Sequence, residues 1–148
     1  MPIHPLIRHA PDPDHPGWGT WELPDDGRFA GSIGKLLVRA ERPGKARVRM
    51  FPERAQSNLS NLMHGGAVMT FIDMAFFAGG TLAGADVAFA VTLDCETRFI
   101  APGRLGAPLD AEIEVLRETG RLVFLRGLVV QAGETIAAFS GTLRKAKG

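Results

Sequence analysis

The stretch Asn61–Phe77, NLMHGGAVMTFIDMAFF, constrains the fold of this chain more than any other segment. Ala, Val, Met, Phe and Ile fill nearly every position after Gly66, so a helix built from it is apolar on almost all sides and must be covered on more than one. A single curved antiparallel sheet wrapped about the helix does this. A two-layer arrangement, with the helix on one open sheet face, is the competing architecture, and periodicity does not separate the two. In either, Asp73 is the anomaly: a carboxylate in the middle of an apolar helix is costly unless something satisfies it. A nearby hydroxyl such as Thr70 is one answer, and a water-filled cleft that uses the charge is the other.

The rest of the chain supplies the sheet. GKLLVRAERPGKARVRMF places Pro43-Gly44 between two strand-like runs, with Ala46, Val48 and Met50 alternating against Arg47 and Arg49, which predicts a hairpin. After the helix, AFAVTLDCETRFIAP alternates so that Phe89, Val91, Leu93, Cys95 and Phe99 share one face and Thr92, Asp94, Glu96 and Arg98 the other, the pattern of a half-buried strand with Cys95 in the core. PLDAEIEVLRE, RLVFLRGLVV and ETIAAFSGTLRK follow, joined at Thr119-Gly120 and Ala132-Gly133 by turns too short for crossover helices. The expected order is a hairpin, one buried helix and four strands, an α+β domain over residues 29–148 with five to six strands in one antiparallel sheet.

Residues 1–28 read differently. Six of the 10 prolines fall within the first 24 residues, so neither a regular helix nor a central strand fits there. The expectation is an extended, solvated Pro-rich arm, with His4, His9 and His15 in it lacking the spacing of a metal site. With 17 Lys and Arg against 16 Asp and Glu, the net charge of +1 shows no nucleic-acid or membrane-surface footprint. The single cysteine excludes an internal disulfide, and the first residues lack the apolar run of a signal peptide, so a cytoplasmic protein is expected.

Two glycines, Gly65 and Gly66, stand directly before the helix, where first-turn N–H groups have no intrahelical partner. Uncovered amides at such a terminus attract an anion or the partial oxyanion of a carbonyl under attack. Neither a G-x-G-x-x-G nor a Gly-Lys-Ser/Thr sequence accompanies them, which excludes a nucleotide loop. Asn58, then His64-Gly65-Gly66, then Asp73 nine residues after the His, resembles the signature of hotdog-fold acyl-CoA thioesterases of the phenylacetate-pathway (PaaI-like) type. VTLDCETRFIAPGRLG resembles that family's strand after the helix, and GRFAGSIG its lead-in, so the resemblance covers roughly residues 27–145. One departure is Asn61, where many members carry Gly; Asn also tolerates a left-handed backbone.

The resemblance implies roles residue by residue. Asp73 matches the catalytic carboxylate, acting as general base or as nucleophile. Thr92 matches the hydroxyl that holds the water, Gly65 the backbone donor to the thioester carbonyl, Asn58 the amide assisting it, and His64 the histidine that shapes the loop. Gly66, Met63, Phe77 and Arg98 are the expected substrate contacts. It also implies a small-molecule acyl-CoA substrate, no metal or organic cofactor, and a homodimer assembled into a homotetramer.

Geometry adds a constraint of its own. Eight residues separate Gly65 from Asp73, about 12 Å along a helix axis, so one helix cannot bring both to one carbonyl. Two helices packed antiparallel across a two-fold axis can. Three other functions compete with acyl-CoA hydrolysis: hydrolysis of a carrier-protein thioester, a non-catalytic acyl-CoA binding or regulatory module, and a hotdog hydratase. A binder needs no base, and a hydratase would need an Asp and His acid-base pair.

Overall fold

Alternation in the second half of the chain produces the strands it predicts. The computed structural model describes residues 2–147. In chain order it contains β1 (Gly19–Thr20), β2 (Leu36–Arg42), β3 (Lys45–Met50), the helix α1 (Gly65–Leu82), β4 (Val91–Phe99), β5 (Leu109–Glu118), β6 (Leu122–Gln131) and β7 (Glu134–Arg144). All pair antiparallel in one sheet of order β1-β2-β3-β5-β6-β7-β4. Pro43-Gly44 turns β2 into β3 with Gly44 at φ 81°. Ala132 (φ 48°) and Gly133 (φ 79°) are both left-handed, the backbone a two-residue hairpin loop requires.

α1 touches β2, β3, β5, β6 and β4, nearly the full width of the sheet, so the sheet curves around the helix and the wrapped architecture holds. Phe71, Ile72, Ala75 and Phe76 are 0% exposed, and full burial of each large apolar side chain contributes about 1.5–3 kcal/mol. The approach is close enough to require glycine in the sheet. A Cβ on Gly141 would lie 2.5 Å from the Phe76 ring. By length and composition α1 could also cross a membrane (18 residues, mean hydropathy 1.3), but half of it is buried within the domain, the setting of a core helix.

Three expectations are corrected. The sheet has seven strands rather than five to six, and the additional one, β1, comes from the arm. The arm is not a solvated tail. Trp18 is 8% and Trp21 7% exposed, Arg8 and Pro11 bridge to Glu22 and Gly19, and Trp21 N–H donates to the Leu36 carbonyl (3.2 Å). The guanidinium groups of Arg39 and Arg49 each lie over the Trp18 ring, 4.5 Å from its centroid. Asp12, also buried, pairs with Lys35 (2.8 Å) and His15 (3.2 Å) and accepts from the Asp14 amide (2.9 Å). Prolines prevent long strands but not these short bridges, and two tryptophans supply the apolar area that docks the segment.

The third correction concerns β4. It is an edge strand paired only with β7, and its apolar side chains are exposed: Val91 49%, Leu93 53% and Phe99 53%. Thr92 pairs with Leu143 but Asp94 with the adjacent Thr142, so the strand carries a bulge at Leu93 that breaks the alternation. Thr92, opposite buried Leu143, therefore shares the helix-facing side with Cys95 and Phe99 instead of lying opposite them. Cys95 is half-buried rather than in the core.

Candidate active site

The glycine pair at the start of α1 is resolved into two different jobs. His64 is the N-cap, with extended backbone (φ −63°, ψ 133°), and its Nδ1 accepts the Gly66 N–H at 2.9 Å. A Cβ on Gly66 would lie 3.1 Å from that nitrogen, a tight contact that the His64 ring would have to ease, so the cap favours glycine there. Gly65 N–H, by contrast, has no hydrogen-bond partner among the described residues. A Cβ on Gly65 would meet the Phe99 ring at an ordinary 3.6 Å. With Nδ1 accepting, the tautomer of a neutral His64 ring is the one protonated on Nε2.

Asn58 organises the loop that leads to this cap. Its Oδ1 accepts the amides of Ser60 (2.8 Å) and Leu62 (3.1 Å), which makes the side chain the pivot of the turn. Its NH2 group finds no acceptor among the described residues and remains available as a donor. Asn61 has φ 58°, the left-handed backbone that Gly or Asn accommodates.

Asp73 is half-buried, two turns along α1. Thr70 does not satisfy it, since the Thr70 hydroxyl donates back to the Gly66 carbonyl (2.8 Å). Thr92 does: its Oγ1 donates to Asp73 Oδ1 at 2.6 Å. The β4 bulge makes this contact possible by turning Thr92 toward the helix. One carboxylate oxygen is thus fixed, and Oδ2 has no hydrogen-bond partner among the described residues. Cys95, on the same face, is a poor nucleophile, because burial, and then the charges of Asp73 and Asp94, push its thiol above the ordinary range.

The motif's two halves open onto different cavities. Asp73 lies in a cavity of about 300 Å³ with Met74, Phe77 and Thr81 of α1. Asn58 and His64 line a separate open cleft of about 650 Å³. Gly65 and Met63 border a third, of about 280 Å³, with Phe99 and Gly103. None of these three cavities combines Asp73 with Asn58, His64 or Gly65 in one protomer. Of the expected substrate contacts, Phe77 lies beside Asp73, Met63 is largely core at 5% exposure, Gly66 has its N–H occupied by His64, and Arg98 is exposed on β4 and lines none of the three cavities.

Sequence reasoning missed the arm's part in the site. His4, Ile7, Trp21 and Leu23 line the Asp73 cavity together with the α1 residues. The presence of both tryptophans in the segment was the available signal.

Fold and site together define a hotdog domain carrying a thioesterase-type motif. The thioesterase superfamily model matches residues 60–145, more than half of the chain, and the chain belongs to that superfamily; it is a thioesterase. Solved structures agree. A mutant of the phenylacetic acid degradation protein PaaI from Thermus thermophilus is 28% identical, with 80% of this chain and 98% of that one aligned at a TM-score of 0.67. The PaaI protein of the Escherichia coli phenylacetic acid degradation operon is 25% identical over 84% and 88% of the two chains, TM-score 0.69. A hypothetical thioesterase from Streptococcus pneumoniae, solved with coenzyme A, shares the fold at 17% identity over 77% and 94%, TM-score 0.66. No curated protein sequence gives a significant match.

Proposed function

We propose that the protein hydrolyses acyl-CoA thioesters to the free carboxylic acid and CoA, in sites completed by two protomers. The observation that carries this reading is Asp73, held by Thr92 at 2.6 Å beside a cavity otherwise mainly apolar. A carboxylate next to an apolar chamber is suited to act on the head of an apolar acyl group. The Streptococcus pneumoniae protein of this fold holds coenzyme A, which supports CoA as the carrier.

In the general-base form of the reaction, Asp73 Oδ2 takes a proton from water as the water oxygen bonds to the thioester carbon. The carbonyl becomes an oxyanion, met by the free N–H of the partner's Gly65 and the NH2 of the partner's Asn58. Collapse breaks the C–S bond, and the CoA thiolate leaves with the proton returned from Asp73. In the nucleophilic form Asp73 itself bonds to the carbon and the C–S bond breaks, CoA leaving as a thiolate that takes a proton from solvent; water then cleaves the mixed anhydride to the free acid and the Asp73 carboxylate. Both forms use the same groups.

Dimerisation is supported by the separation of the motif among different cavities and by the open β4 edge with its exposed Val91, Leu93 and Phe99. Met69, one turn before Asp73 on α1, is a further exposed apolar side chain at 40%. The test is thiol release from a panel of acyl-CoA esters by the wild-type protein and Asp73→Asn. Turnover by wild type, reduced about 100-fold or more in the variant, is expected. Hydrolysis of carrier-protein thioesters alone, or an undiminished Asp73→Asn, contradicts the reading.

A further inference from the structure

The segment that precedes the family match carries more than attachment contacts. The cavity at Asp73 follows one line of α1, Asp73, Phe77 and Thr81, spaced four residues apart, and so runs about 12 Å along the helix. Val87 and Ala88 line part of it, and the arm lines a further part through His4, Ile7, Trp21 and Leu23. The arm is held firmly enough to serve as a wall. Trp21 sits in the core with its N–H on the Leu36 carbonyl, Ile7 and Leu23 pack against the same core, and Asp12 is tied to Lys35.

We propose that this arm sets the upper size limit of the acyl group, so that the enzyme takes medium-chain thioesters and rejects long-chain ones. The proposal rests on the assignment of the Asp73 cavity as the acyl site of a thioesterase. Two independent measures give the limit. An extended chain advances about 1.1–1.2 Å per backbone atom, from 3.3–3.6 Å per three-atom residue, so 12 Å takes roughly ten chain atoms. By volume, about 300 Å³ is twice the ~150 Å³ cavity known to accept one benzene. A chain of sixteen carbons exceeds both limits.

The experiment compares wild type, the double variant Ile7→Ala/Leu23→Ala and the single variant Leu23→Phe on straight-chain acyl-CoA esters of 4 to 16 carbons, reading kcat/KM by thiol release. Neither residue touches the reacting atoms, and circular dichroism checks that each variant is folded. Wild type should peak at or below about ten carbons. The double variant should raise the ratio of fourteen-carbon to eight-carbon kcat/KM by about tenfold or more, and Leu23→Phe should move the peak to shorter chains. Folded variants with the wild-type profile, or a wild-type peak at sixteen carbons, overturn the proposal while leaving thioester hydrolysis intact. If wild type hydrolyses none of the esters, the functional reading fails instead. Calorimetric binding of free carboxylic acids of the same lengths then decides the cavity: a limit near ten carbons that shifts in the double variant upholds the arm's role, and no length dependence removes it.

Discussion

Replacing Gly65 by proline removes one hydrogen-bond donor and little else, because the backbone is already arranged for it. Gly65 is the first residue of α1, the position where proline's fixed φ is suited and its missing N–H breaks no helical bond. The residue before a proline is pushed to extended backbone with ψ near +120 to +160°, and His64 already has ψ 133°. The new ring would enter at the side where a Cβ meets Phe99 at 3.6 Å, an ordinary contact. Stability should therefore hold or rise by about 0.4–1 kcal/mol through the loss of unfolded-state freedom. Removing an oxyanion donor costs about 2.7–4 kcal/mol in the transition state, roughly 100- to 1000-fold in kcat. The assay is steady-state thiol release beside thermal denaturation and oligomer size on the same preparation. A folded Gly65→Pro protein with wild-type turnover would show that the thioester carbonyl is polarised elsewhere.

Two further outcomes follow from the same geometry. Thr92→Val keeps the β-branched shape but removes the donor that fixes Asp73, so kcat should fall about tenfold, a charge-assisted hydrogen bond at a partly exposed site contributing on the order of 1–1.5 kcal/mol; an unchanged kcat would make that contact incidental. The Lys35 ammonium, followed by the Asp14 amide, holds the Asp12 carboxyl at about 2, below its usual 3.8. A folded-state value below the unfolded one means that the stabilisation is complete above about pH 4 and is lost as pH falls through about 2. Tryptophan fluorescence from Trp18 and Trp21 should report the arm loosening in that window, and identical acid titrations of wild type and Asp12→Asn would contradict the assignment.

The helix and the later strands were legible because each rests on a local regularity, apolar continuity over Asn61–Phe77 and alternation over Leu109–Arg144, while the motif from Asn58 to Asp73 was read through family resemblance. Thr92 was legible only through family resemblance. Strict alternation placed it with Asp94, Glu96 and Arg98, and a bulge has no reliable signature in one strand's sequence, since it depends on the partner strand's register. The arm was misread for a related reason. Its prolines describe what the backbone cannot do, while its docking depends on tertiary partners, Arg39 and Arg49 for Trp18 and the α1-facing core for Trp21. The separate duties of Gly65 and Gly66 also appear only in the structure, where the His64 ring takes one amide and leaves the other.

The most direct test of the shared-site account is complementation between two inactive chains. Asn58→Ala and Asp73→Asn each disable every site of their own homodimer. In a mixed dimer one site receives both defects and the other receives Asp73 from one chain with Asn58 and Gly65 from its partner. Random exchange makes about half of the dimers mixed, each with one intact site of two, so two-fold symmetry predicts recovery to about a quarter of wild-type thiol release. Recovery should appear only after co-expression or subunit exchange, followed by mass spectrometry of the intact dimers. Confirmed exchange with activity no higher than that of the separate variants would contradict the account, placing Asp73 and its oxyanion donors within a single chain.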